Sequence, residues 1–164
     1  MTYSTNAFFG KLAMSDMLSV NDYIDWAVDM LGQGYDSPSL RSLAGLDPKV
    51  STFEAEHYFH LCVKDLNMIL PDSKEALRAY ALEISCNIID GNIKPKDGVP
   101  VLSRIYMVTD FDSDYEEWHI LEEVLNNSLD ETLEQFNSIA MQKAQRFIAQ
   151  MKNKPGPNKD LRSR

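Results

Sequence analysis

The sequence predicts an all-α fold: a single-domain bundle of about seven amphipathic helices with short connections. Three observations lead there. Apolar residues recur at spacings of three and four through most of the chain. Residues that start or stop helices, mainly Ser, Thr, Asp, Pro and Gly, fall at the ends of those runs. Only one stretch has strand character, and nothing in the chain can pair with it.

The elements follow in order. Ala7, Phe8, Phe9, Leu12, Ala13 and Met17 fit a short helix or a docking segment. Ser19 or Asn21 can cap a helix carrying Tyr23, Ile24, Trp26, Ala27, Met30 and Leu31, and Gly32 and Gly34 end it. Asp36 or Ser37 caps the next, with Pro38 at its first position; it holds Leu40, Leu43, Ala44 and Leu46 and stops at Asp47-Pro48. Ser51 or Thr52 caps a third, expected to carry Phe53, Phe59, Cys62, Val63, Leu66 and Ile69 up to Pro71. Asp72 or Ser73 caps a fourth through Leu77, Tyr80, Ala81, Ile84, Ile88 and Ile89, closed by Gly91. Asn92 to Pro100 is dense in turn residues and reads as a loop. Val101, Leu102, Ile105, Tyr106 and Val108 are the strand-like stretch, read as helix because no partner strand exists. Trp118, Leu121, Val124 and Leu125 define a short helix, with Asp114 and Glu117 at capping-box spacing. A long helix starting near Ser128 carries Leu129, Leu133, Phe136, Ile139, Ala140, Lys143, Phe147, Ile148 and Met151 along one face.

At 164 residues the chain can bury a substantial core. The domain is expected over 1–152, followed by a basic tail, 153–164, that reads as a frayed terminus. No apolar run reaches the roughly 18 residues of a membrane span. The start of the chain has one lysine, Lys11, and no basic region ahead of its apolar patch, so the expectation is a cytoplasmic protein without membrane contact. A formal charge of -9 disfavours nucleic-acid binding, which needs clustered Lys and Arg.

The charge is concentrated. From Asp110 to Glu134 the chain carries ten acids and no Lys or Arg. Phe111, Tyr115, Trp118, Ile120, Leu121, Val124 and Leu125 are interleaved with them, a pattern that a purely solvated segment lacks. This reads as a folded, partner-facing acidic surface. Its expected binding residues are Asp110, Asp112, Asp114, Tyr115, Glu116, Glu117, Trp118, Glu122 and Glu123. Tyr115 and Trp118 are read as anchors because carboxylates surround them, with inward packing of Trp118 as the alternative. Tyr23, Trp26, Phe59, Tyr80 and Phe136 sit on helical apolar faces and read as core.

Catalytic and metal signatures are weak. Asp110-Phe-Asp112-Ser-Asp114 opens like a calcium loop, but Tyr115 and Leu121 stand where that loop needs Gly and Glu. His57 and His60 share a helix face, yet a zinc site needs a third ligand and HExxH is absent. There is no GxSxG and no phosphate-binding glycine loop. Cys62 and Cys86 read as buried free thiols, the latter beside Ser85 in a helix interior. The expectation is therefore a protein that is not an enzyme and holds no cofactor or metal.

Trp26-Ala27, Leu31-Gly32, Asp36-Ser37-Pro38-Ser39-Leu40, Leu43-Ala44-Gly45-Leu46 and Ile89-Asp90-Gly91-Asn92-Ile93 resemble small helical bacterial immunity proteins of contact-dependent growth inhibition and related polymorphic toxin systems. The resemblance covers less than half of the chain and rests on capping and core positions. It implies a small cytoplasmic protein, a monomer or weak dimer when free, that neutralises a cognate toxin domain. Such toxins are often nucleases, an RNase or a DNase, with cationic clefts. A helical adaptor or regulatory module without a toxin partner is the alternative expectation.

Overall fold

A computed structural model describes residues 5–14, 18–127 and 133–153. Among the described residues all regular structure is helical, in eight helices: α1 (Thr5–Ala13), α2 (Val20–Gly32), α3 (Pro38–Ala44), α4 (Thr52–Asp65), α5 (Ser73–Ile89), α6 (Pro95–Val108), α7 (Glu116–Asn126) and α8 (Leu133–Asn153). They fall into two compact units, Met1–Ala76 and Leu77–Arg164, and the boundary lies in the first turn of α5. Met17, Ser128, Leu129, Asp130, Glu131 and the tail from Lys154 lie outside the described residues.

In the first unit α2, α3 and α4 pack on one another and α1 packs on α2. Ser19 starts α2: its backbone N–H and its hydroxyl both donate to Asp22 Oδ2 at 2.7 Å. Lys11 reaches the other oxygen, Oδ1, at 2.6 Å. Burial alone would raise the Asp22 carboxyl, but the Lys11 and Ser19 hydrogen bonds outweigh it and hold the group below its usual value. The last turn of α2 closes on Gly34, at φ +90, with Tyr35 N–H donating to the Met30 carbonyl. Ser37 caps α3 by accepting from Leu40 N–H, with Pro38 at the first helical position, and Ser51 caps α4 by accepting from Glu54 N–H. The aromatic heart is Phe8, Phe9, Tyr23, Trp26 and Phe59, with Phe8 stacked on Trp26 at 5.3 Å and Phe59 edge-on to Trp26 at 5.0 Å.

Two expectations about α4 are corrected. The helix ends at Asp65, short of Leu66 and Ile69, because Asn67 adopts a left-handed φ of 49 and Met68 N–H closes onto the Val63 carbonyl. Phe53, expected on the buried stripe, stands outward in the first turn at 81% exposure, since Ala55, Phe59 and Cys62 supply the inner face.

In the second unit α6, α7 and α8 pack together. The turn-rich stretch Asn92 to Pro100, expected as a loop, is helical from Pro95 onward. Pro95 occupies the first helical turn, where its missing N–H costs nothing. Gly98 is a packing residue: a Cβ there would lie 2.7 Å from Ile88 Cδ1, so its absence makes room for the buried Ile88 side chain. Residues 101–108 are helical, as expected. The Arg78 guanidinium on α5 donates to the Met151 carbonyl on α8. Tyr80, Ile84, Ile88, Val99, Leu102, Ile105, Trp118, Leu121, Phe136, Ala140 and Phe147 form the buried set.

Candidate functional site

The acidic stretch begins where α6 ends. Thr109 caps α6 and Phe111 N–H donates to the Tyr106 carbonyl, which closes the last turn. Asp110 and Phe111 both take left-handed φ values, 56 and 64. Asp tolerates that region; Phe rarely does. Next, the Asp112 side chain accepts from Asp114 N–H at 3.0 Å and Tyr115 N–H donates to the Asp112 carbonyl, a tight turn into α7. The cap position of α7 falls one residue past Asp114, the residue its spacing with Glu117 suggests. Tyr115 holds the cap position, with no side-chain hydrogen bond to the helix end.

The two expected aromatic anchors are core residues. Tyr115 is 4% exposed and Trp118 is 2% exposed, and both pack on Phe147 of α8, at 5.8 and 5.9 Å between ring centres. The physical reason is periodicity: Trp118, Leu121 and Leu125 share one helical face, and that face meets the other helices of the unit. Burial, with Asp112 and Asp114 close by, pushes the Tyr115 hydroxyl up to about 12, so it stays protonated.

The carboxylates divide. Glu117 lies on the flank of α7 toward α8, where Lys143 pairs with it at 2.9 Å. The Lys143 hydrogen bond, aided by its charge and that of Arg146, holds Glu117 below the usual carboxylate range. A cleft of about 660 Å3 opens here, and its walls carry Asp114 and Glu117 against Lys143 and Arg146. Two acids and two bases cancel, so this flank is not an acidic docking face. Asp112 and Asp114 are half-buried. Asp110, Glu116 and Glu123 are exposed, and Glu122 is partly so.

The flank toward α6 is different. His119 stacks on Tyr106 at 5.2 Å and 25°, and Tyr106 meets Phe111 edge-on at 5.3 Å. Phe111 is 57% exposed. His119 Nε2 lies 4.0 Å from Glu123, and its Nδ1 shares a 3.1 Å hydrogen bond with the Ser103 hydroxyl. Ser, His and Glu in that order invite comparison with a nucleophile and its base. The Ser103 hydroxyl, however, belongs to a residue only 2% exposed, so a substrate has no approach to it. The contact ties α6 to α7. Tyr106, His119 and Lys143 were not among the expected site residues. Their contacts join positions 13 and 26 residues apart, which no helical spacing signals.

His57 and His60 are exposed, and His60 lies 3.7 Å from Glu56. Among the described residues no group of three or more His, Cys, Asp or Glu side chains is placed to hold a metal ion. Cys62 is buried, and that burial, with Asp65 nearby, pushes its thiol up to about 11. Cys86, expected to be buried, is exposed; Ser85 takes the inner position and donates to the Ala81 carbonyl at 2.7 Å. No helix among the described residues is long and apolar enough to cross a membrane. No family model, curated protein or solved structure matches this chain.

Proposed function

We propose that this chain is a non-catalytic immunity protein that binds and neutralises a cognate basic toxin domain, an RNase or a DNase, in the cytoplasm. The observation that supports it is the carboxylate surplus between the end of α6 and the outer face of α7. Among the described residues no Lys or Arg forms an ion pair with Asp110, Glu116 or Glu122, and Glu123 is met by the His119 ring alone. Acids left without cations strain the fold by mutual repulsion and favour a cationic partner. A nuclease cleft is built to attract phosphate, and a row of carboxylates competes for the same field. Asp110, Glu116 and Glu123 carry the reading, since Tyr115 and Trp118 are interior and Glu117 is already paired.

The test has two parts. The chain is first used to capture the product of the adjacent upstream gene, where a toxin is expected. Association is then timed for the wild type and for a variant with Asp110→Lys, Glu116→Lys and Glu123→Lys. The triple variant should associate at least about tenfold more slowly at low salt, with the gap closing as salt rises. An unchanged on-rate removes the acidic surface from the interface, and a neighbour that is no toxin favours the adaptor reading.

A further inference from the structure

We infer that this surface reads arginine: Phe111, Tyr106 and His119 form an aromatic strip, bordered by Asp110 and Glu123, that takes a guanidinium group presented by a basic protein partner. The inference rests on the acidic surface being the docking face and adds what that face recognises. The rings form a continuous series, Phe111 against Tyr106 at 5.3 Å and Tyr106 against His119 at 5.2 Å. Asp110 directly precedes Phe111 in the chain and is exposed, and Glu123 lies 4.0 Å from His119.

Each part of the arrangement matches one property of arginine. A guanidinium is flat and weakly hydrated, stacks on aromatic faces and bonds carboxylates with a two-pronged fork. An ammonium is compact and strongly hydrated, so lysine gains from the carboxylates and little from the rings. A purely apolar partner would bury Asp110 and Glu123 without compensation. Phosphate is repelled, and a second copy of the chain brings the same negative charge.

The test is an NMR titration of the full chain with nona-arginine and nona-lysine peptides, matched in length and charge, at low salt. The expected result is that both shift residues of the 110–123 region. Nona-arginine should bind tighter by about threefold or more and move the Phe111 and Tyr106 ring signals. Phe111 is the exposed end of the strip, at 57%, so in a Phe111→Gly variant, whose backbone suits the left-handed φ of 64, the preference should fall by at least half while the nona-lysine affinity is kept. Equal affinities in the wild type, or a preference undiminished by Phe111→Gly, overturn the aromatic strip and leave the acidic surface standing. If neither peptide shifts the 110–123 region, the acidic surface itself fails and the strip with it.

Discussion

Phe111→Gly should give a more stable protein than Phe111→Ala, although glycine is ordinarily the costlier residue to order. Both substitutions remove the same ring and the same edge-on contact with Tyr106. They differ only in how the backbone meets φ 64. An L side chain in the left-handed region costs about 1–2 kcal/mol. Glycine avoids that cost but loses about 0.5–1 kcal/mol of unfolded-chain freedom. The balance favours glycine by roughly 1 kcal/mol, or about 2–4 °C in melting temperature for a chain of this size. Urea denaturation of the two variants, followed by far-ultraviolet circular dichroism, measures the difference directly. Alanine equal to or better than glycine would mean that Phe111 is not left-handed in solution. The exposed ring would then lose the geometry that aligns it with Tyr106.

Three further outcomes follow from the packing and the ion pairs. Asp22→Asn should cost about 2 kcal/mol at pH 7, because Asp22 accepts charged and neutral hydrogen bonds in a half-buried site. The Asp22 carboxyl is lowered from 3.8 in the fold, so its contribution is complete above that value and disappears as pH falls through the folded pKa; in urea melts the gap between the wild type and Asp22→Asn should narrow as pH is lowered below 3.8. Gly98→Ala should destabilise by about 1–3 kcal/mol, since the new methyl group meets the buried Ile88 side chain at 2.7 Å and that side chain must shift within the packed core; a melting temperature that does not fall contradicts the tight contact. Asn67→Gly should stabilise by about 0.5–1 kcal/mol, because glycine suits the left-handed end of α4 better than asparagine, and a lower urea midpoint would refute this.

Helix boundaries were legible where local chemistry sets them. Ser19, Ser37, Ser51, Pro38 and Gly34 act where their side chains and backbone preferences place them. The reading failed where a residue with turn chemistry serves packing instead. Gly98 reads as a turn residue and is in fact the gap that receives Ile88. Asn67 ends α4 before the apolar spacing does. At the candidate site, the carboxylates that neighbour Trp118 in sequence favour an anchor while its helical spacing with Leu121 and Leu125 favours inward packing, and the second holds. The exposed strip was hidden. Tyr106 and His119 meet only after α6 and α7 pack, and nothing local foretells that Phe111 reverses its backbone. The Lys143–Glu117 pair likewise spans 26 residues.

That pair makes the potential around α7 lopsided. On the side facing α8, Lys143 and Arg146 extinguish much of the negative field. On the side facing α6, Glu123 meets the His119 ring and, among the described residues, pairs with no Lys or Arg. Under the docking proposed above, a cationic partner would therefore feel a torque as well as a pull, and would be turned toward the α6 edge before any atoms touch. Fewer of its collisions would be wasted in the wrong attitude, and the selection would cost no contact.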